Sequence, residues 1–314
     1  MIRIVAAFLV VLGLGVSFFA LRGQEVSVTS PVPKVFGASD DVKSNEWFPE
    51  TSASANSSDV VLSARSALLV DYETGEVIFS KSPKDKLPAA STIKIMTALV
   101  ALENGQPGDT YGVSQKAATV GENSMGLSEG EELRLEELLY GMMLVSGNDA
   151  AVAVAEGVAG SEDAFVAEMN RRAKELGAND TKFVNASGLD VDGVSQYSTA
   201  YDMAVISRYV WESHQLFRKT SSTFHTYIAA NEKHKDYDLY NDTNLLTTYP
   251  GVKGIKPGFT WEAGLCLVTY AENDGEKLLG VILGSDDRRG EMKELLDYGF
   301  GTYGITVAHP DLDL

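Results

Sequence analysis

The sequence predicts an α+β domain: one antiparallel sheet assembled from both ends of the chain, with a helical subdomain inserted between them. Three observations carry this reading. Short apolar runs bounded by turn residues occur early, at 67–70 and 77–79, and again late, at 265–270 and 278–283. The region 91–175 between them carries apolar residues at helical spacing. Strands and helices do not alternate along the chain, which disfavours a doubly wound parallel sheet.

At the amino terminus, Arg3 precedes an uncharged apolar stretch of eighteen residues, 4–21, and Arg22 follows it. That length just spans a bilayer and is long for a signal-peptide core. Phe18-Phe19-Ala20 places bulk where a cleavage site needs small residues. Residues 1–22 therefore read as an uncleaved signal anchor in preference to a cleaved signal peptide. The rest of the chain is expected to be exported, extracytoplasmic and tethered to the membrane by this segment. Residues 23–60 are rich in Ser, Thr, Pro, Asp and Glu, including Thr51-Ser52-Ala53-Ser54-Ala55-Asn56-Ser57-Ser58. Such a composition buries too little apolar surface to offset its ordering entropy, so a flexible linker is expected.

A folded domain is expected over 61–304. Tyr72-Glu73-Thr74-Gly75 joins the first two strands as a hairpin. Helices come next, among them 133–139 and the Ala/Val-rich 150–158. Thr199-x-x-Asp202 reads as a capping box that opens another helix. Asn273-Asp274-Gly275 then joins 265–270 to 278–283 as a second hairpin. Met292, Leu295, Leu296 and Phe300 lie at helical spacing in a last helix, 290–300, leaving 305–314 as a tail.

Composition narrows the function. The 314 residues, 44% of them hydrophobic, suffice for one large core or two modest ones. A net charge of −18 repels phosphate backbones, so no nucleic-acid partner is expected. The one cysteine, Cys266, sits in the apolar run Leu265-Cys266-Leu267-Val268 and reads as a small buried hydrophobe rather than a nucleophile. His214, His225, His234 and His309 lack metal-ligand spacing, so neither a metal nor a cofactor is expected.

Three constellations carry chemistry. In Ser91-Thr92-Ile93-Lys94-Ile95-Met96-Thr97-Ala98-Leu99-Val100, Lys94 is the only charge before Glu103 in an otherwise apolar helix. Burying an unpaired ammonium is costly, and desolvation lowers its pKa into the range of a general base. Positions i and i+3 share a helix face, which sets Lys94 beside Ser91. Ser91 in the first turn would also stand where free N–H groups favour an anion. The bland alternative is an N-cap serine beside a snorkelling lysine. Ser146-Gly147-Asn148-Asp149 ends one helix and starts another, equally a turn glycine with an Asn/Asp cap. Lys256-Pro257-Gly258-Phe259, just before the late hairpin, is either a plain Pro-Gly turn or a strand lysine placed to bind a carboxylate.

These boxes, in this order, resemble the Ser-x-x-Lys, Ser-x-Asn and Lys-Thr-Gly motifs of penicillin-binding proteins and serine β-lactamases. The similarity is closer to the low-molecular-mass D-alanyl-D-alanine carboxypeptidases of the S11 serine peptidase family. It extends to Leu138-Leu139-Tyr140-Gly141-Met142-Met143, Asn185-Ala186-Ser187-Gly188-Leu189, Tyr197-Ser198-Thr199-Ala200-Tyr201-Asp202 and Tyr249-Pro250-Gly251-Val252-Lys253-Gly254-Ile255, covering roughly 60–304. The resemblance implies a β-lactamase/transpeptidase-like fold and a serine enzyme that trims peptidoglycan pentapeptides and is acylated by β-lactam antibiotics. Ser91 would be the nucleophile, Lys94 its base and Ser146 a proton relay. Asn148 would orient the peptide and Lys256 attract its terminal carboxylate, with Arg288 near the same pocket. The N–H groups of Ser91 and Phe259 would form the oxyanion hole, with Gly258 between the lysine and that donor.

The third box departs from the pattern, because Pro257 replaces the family's hydroxyl. Losing a hydrogen bond to a charged group costs about 1.5–3 kcal/mol. If Phe259 N–H faces the cleft, so does the edge two residues earlier, and proline there removes no ladder bond. A D,D-endopeptidase acting on cross-links, a β-lactamase and a non-catalytic peptidoglycan-binding relative remain as alternatives. Gly126-Leu127-Ser128-Glu129-Gly130 has nucleophile-elbow spacing, but the mostly polar residues before it do not read as a buried strand.

Overall fold

The computed structural model describes residues 48–49, 60–243 and 245–309. The expected anchor at 1–22 lies outside them, as does the expected linker at 23–60 apart from Phe48, Pro49 and Val60. Of these, Pro49 is buried, and Phe48 lies against Gly177. Among the described residues no helix is long and apolar enough to cross a membrane.

The chain opens with the hairpin β1 (Ser66–Asp71) and β2 (Val77–Lys81). It closes with the edge strand β7 (Val252–Thr260), β8 (Gly264–Asn273) and β9 (Glu276–Ser285). These form one antiparallel sheet of order β2-β1-β9-β8-β7, in which Ser66 to Asp71 pair with Leu283 to Leu278. The two chain ends therefore meet in the middle of the sheet, as the sequence predicts.

Both faces of this sheet are covered, which explains its near-continuous apolar strands. On one face Leu69, Leu267, Leu278 and Ile282 meet Met292, Leu295, Leu296 and Phe300 of the last helix, α9 (Arg288–Thr302). On the other, Leu68, Val70, Val268, Val281 and Leu283 join the core of the helical region. Neighbouring residues go to opposite faces because strand side chains alternate. Ile305 and Val307, in the expected tail, pack against the α9 side, and Ile305 N–H donates to Phe300 O at 3.0 Å.

The inserted region begins with α1 (Lys94–Asn104), whose residues 94–101 are all buried. It continues through α3 (Leu135–Leu144), α4 (Asn148–Ala159) and α5 (Glu162–Glu175), after the single turn α2 (Gln115–Ala118). The stretch 91–175 is not helical throughout. Two three-residue strands, β3 (Thr110–Gly112) and β4 (Glu132–Arg134), pair across it. They are too short to show a period of two in sequence.

Beyond 175, the expected cap at Thr199 opens α6 (Ala200–Ser213): its hydroxyl accepts from Asp202 N–H at 2.9 Å. Then come α7 (Gln215–Ser222), the hairpin β5 (His225–Ile228) with β6 (Tyr237–Tyr240), and the short α8 (Leu245–Thr248). The sequence reading assigns none of these last four. In the hairpin the signal is diluted because His225, Tyr227, Asp238 and Tyr240 alternate outward on an isolated two-stranded ribbon.

Candidate active site

The nucleophile candidate does not sit in an α-helical turn. Ser91 lies in a 3₁₀ turn, Ala90–Ile93, which runs directly into α1 at Lys94. With three residues per turn, i and i+3 lie in line, which tightens the pairing expected of an α-helix. Lys94 Nζ stands 2.9 Å from Ser91 Oγ.

The same amine donates to Asn148 Oδ1 at 2.8 Å and to the Ser187 carbonyl at 2.5 Å. Neither oxygen carries a hydrogen, so each takes one amine hydrogen. A neutral amine has two hydrogens and one lone pair, and these partners leave the lone pair for the Ser91 hydroxyl. The neutral form is favoured: burial, and then the charge of Lys256, hold the Lys94 pKa well below the usual lysine range against Asp149 and Glu122.

Close backbone contacts fix this turn. Gly188 adopts φ +89°, and a Cβ there would lie 2.2 Å from Ala90 O. The loop that carries Ser187 is held by Thr97 Oγ1 donating to Ala186 O at 2.7 Å. It is also held by Gly188 N–H donating to Asn185 Oδ1, three residues back, at 2.7 Å. On the opposite side a Cβ on Gly258 would lie 3.0 Å from the nitrogens of Ser91 and Thr92. Glycine at 258 therefore lets strand β7 pass beside the candidate nucleophile without displacing the Ser91–Thr92 backbone, which a side chain there would push by a few tenths of an ångström. Three of the five non-glycine residues at positive φ among the described residues, Ala90, Glu122 and Ser146, flank this site. Such residues concentrate where surrounding structure imposes a functional geometry.

Ser146 and Asn148 come from the junction between α3 and α4 and line the same cleft as Ser91, about 110 Å³ in volume. Asn148 is bracketed by the loop at 121–123. Its backbone N–H donates to Asn123 O at 2.7 Å and its Nδ2 to Gly121 O at 3.1 Å, leaving one amide hydrogen for a ligand.

Asp149, which the sequence offers only as a cap, is the buried anchor of the next part of that loop. Its carboxylate accepts from the N–H groups of Met125, Gly126 and Leu127 at 2.9 Å each and from Ser124 Oγ at 2.6 Å. Nothing in Asn148-Asp149 marks which loop it would hold. Ser187 is missed for a different reason: its contribution is a carbonyl, to which side-chain identity gives no signal. Glu122, also unassigned from sequence, lines the cleft.

The third constellation divides. Pro257, Gly258, Phe259 and Arg288 line the cleft. Lys256 is fully buried beneath it and is not part of the lining; its Nζ donates to Pro257 O at 3.3 Å. Burial brings the Lys256 pKa down to about 7, with Arg288 pushing the same way and Asp242 opposing. Arg288 Nη1 donates to Gly258 O at 2.6 Å, so the guanidinium is held at the cleft with further N–H donors to offer. Arg288 is thus the cation that faces the cleft directly. As an edge strand, β7 pairs only with β8, so its cleft side has no ladder partner for Pro257 to disrupt.

Two other expectations resolve. Cys266 is fully buried, and burial pushes its thiol up to about 11, which makes it inert as a nucleophile. Ser128, at the centre of the elbow-like motif, lies in a loop, and its N–H is held by Glu131 Oε2 at 2.7 Å. It has none of the strand-to-helix setting an elbow needs.

A family model described as D-alanyl-D-alanine carboxypeptidase, peptidase S11, matches residues 51–287. The chain is 37% identical over 254 residues to D-alanyl-D-alanine carboxypeptidase DacF of Bacillus subtilis, covering 78% of this chain and 64% of the relative. It is 32% identical over 251 residues to the DacD carboxypeptidase of Escherichia coli, covering 75% and 63%. The chain thus spans a little under two thirds of the length of these curated relatives. Among solved structures, a D-alanyl-D-alanine carboxypeptidase from Mycobacterium tuberculosis superposes with a TM-score of 0.72 at 30% identity, covering 78% of this chain and 94% of that one. A mutant of a Streptomyces DD-transpeptidase gives 0.72 at 26% identity over 77% and 99%. The fold is therefore the transpeptidase-like α+β fold that the resemblance implies.

Proposed function

The chain belongs to the S11 peptidase family of D-alanyl-D-alanine carboxypeptidases, and on that premise we propose that it is a serine D,D-carboxypeptidase that trims peptidoglycan stem peptides. The observation that carries this reading is the buried Lys94 amine, 2.9 Å from Ser91 Oγ and within donating distance of Asn148 Oδ1 and the Ser187 carbonyl, an arrangement in which a neutral amine keeps its lone pair for Ser91.

In this reading Ser91 attacks the carbonyl of the penultimate D-alanine while Lys94 takes its proton. The developing oxyanion lies between the N–H groups of Ser91 and Phe259, in the gap that the missing Cβ of Gly258 leaves open. Ser146 passes a proton to the departing D-alanine nitrogen, and Lys94 then draws a proton from the water that hydrolyses the acyl-enzyme. Asn148 uses its remaining amide hydrogen to hold the substrate's backbone. Arg288 binds the terminal carboxylate. Lys256 acts from below, adding to the positive potential and helping to keep Lys94 neutral. β-Lactams acylate Ser91 by the same route. The enzyme works outside the cytoplasmic membrane, held there by the segment at 1–22.

Digestion of purified muropeptides, read by product mass, tests the reading. Loss of a single alanine residue from pentapeptides is the expected result. Splitting of cross-linked dimers would make the protein an endopeptidase, and unchanged masses would sink hydrolysis altogether.

Pro257 gives a further expected outcome. The variant Pro257→Thr adds a hydroxyl at the cleft wall without removing a ladder partner. The kcat/KM for a D-Ala-D-Ala peptide should rise about ten- to a hundredfold, the value of one hydrogen bond to a carboxylate. Unchanged or lower activity would mean that Arg288 already meets the carboxylate in a way the hydroxyl cannot improve.

A further inference from the structure

The turn after β7 presents an aromatic pair to solvent beside the cleft. Trp261 is 93% exposed and Phe259 45% exposed, with ring centroids 5.5 Å apart in an edge-to-face arrangement. Phe259 lines the cleft itself. The turn is pinned: Thr260 Oγ1 donates to Asp190 Oδ1 at 2.9 Å, Glu262 N–H to Asp190 Oδ2 at 3.4 Å, and Ala263 N–H to Thr260 Oγ1 at 3.1 Å. A large apolar side chain is thus held out in water on a braced turn, paired with a second ring at the edge of the cleft. Covering such a ring is favourable by about 1.5–3 kcal/mol, which makes the pair a contact surface for a ligand that extends from the cleft.

Strand direction identifies the occupant. Moving along β7, the cations come first: Lys256, then Arg288 bonded to Gly258 O. The nucleophile packs against that same Gly258, the proposed oxyanion donor Phe259 N–H follows it, and Trp261 lies beyond the strand's end. A peptide lying on this free edge with its terminal carboxylate at the cation end must run its upstream residues towards Trp261. From Gly258 to Thr260, the last strand residue, is roughly 7 Å at about 3.3 Å per residue, and Trp261 opens the turn that follows. In a pentapeptide cut before its last residue, four residues precede the break and reach about 13 Å. The sugar that carries the stem peptide then arrives where the indole stands.

We propose that Trp261, backed by Phe259, is a stacking platform for the pyranose ring to which the stem peptide is attached, so that the site prefers sugar-bearing over sugar-free peptide. Pyranose rings present a face of C–H groups, and an exposed indole offers the complementary electron-rich face. The inference rests on the stem-peptide reading given above, and its test is separable from that reading.

The test is calorimetric titration of the Ser91→Ala protein, which removes the nucleophile, with disaccharide-pentapeptide and with the same pentapeptide lacking sugar. The disaccharide form should bind about five- to tenfold more tightly. Adding Trp261→Ala should bring it to the affinity of the free peptide, whose own binding stays constant. Trp261→Tyr should retain most of the preference. Equal affinities at the outset, absence of binding by either ligand, or a Trp261→Ala loss shared by both ligands would overturn the proposal. Failure of the unsubstituted protein to release D-alanine would count against the carboxypeptidase reading alone, and the sugar preference would stand or fall on the titration.

Discussion

Replacing Lys94 with methionine is expected to slow acylation of Ser91 by benzylpenicillin about a thousandfold, within the range that a positioned general base contributes. The substitution suits the site in shape, because Lys94 is fully buried in a helix whose first two turns are all buried. It removes the one group able to take the Ser91 proton and leaves Asn148 Oδ1 and the Ser187 carbonyl without their donor. Each lost partner costs about 1–3 kcal/mol, so the melting temperature should fall while the fold persists.

The pH dependence gives a second arm. In the proposed mechanism Lys94 acts as the free amine, and burial, then the charge of Lys256, depress its pKa. Acylation should therefore be present above that depressed value and decline as pH drops through it. The residual rate of the methionine variant should not follow the same titration. Stopped-flow acylation kinetics across pH measure both arms. A variant that acylates at the original rate, or an unsubstituted protein active only near the usual lysine pKa, would require a different base.

Removal of the proposed nucleophile should have the larger effect. In Ser91→Ala, hydrolysis of a D-Ala-D-Ala peptide should drop by at least about 10⁴-fold. Intact-mass measurement after penicillin treatment should show no covalent adduct, against one adduct per chain in the unsubstituted protein. The change is small in volume, and Lys94 keeps two of its three contacts, so folding should be retained. An adduct that survives in Ser91→Ala would place the nucleophile elsewhere, with Ser146 the next hydroxyl in the same cleft. No adduct in either protein would favour a binding relative without catalysis. Rapid, continuing penicillin turnover would favour a β-lactamase.

The site's components were legible because each imposes an odd local demand. A lysine within an apolar helix, a serine three residues before it, and a lysine-proline-glycine run before a hairpin all stand out against helix and strand patterning. Four of the sheet's five strands were equally legible, since strands buried on both faces must read as apolar runs at the two ends of the chain; β7, with Gly254, Lys256, Pro257 and Gly258, read equally as a turn. The β3–β4 and β5–β6 ribbons were not, because strands of three or four residues with one wet face carry too little pattern. Lys256 also outweighed Arg288 in sequence, whereas Arg288 is the one that lines the cleft. Sequence distinguishes a cation from a neutral residue but not a cation lining a cleft from one sealed beneath it.

The sequence alone determined the two hairpins of the main sheet, the chain end from which each comes, the longer apolar helices, and the chemical types gathered in three boxes. That information is local: periodicity, turn chemistry and the cost of burying a charge act within a few residues. Only the tertiary structure decided that the nucleophile turn is 3₁₀, that Asp149 ties down a distant loop, and that the Ser187 carbonyl takes one of the Lys94 hydrogens. These depend on backbone groups and close approaches between segments far apart in the chain. A carbonyl is the same in every residue, so its position in space, rather than its identity, gives it a role.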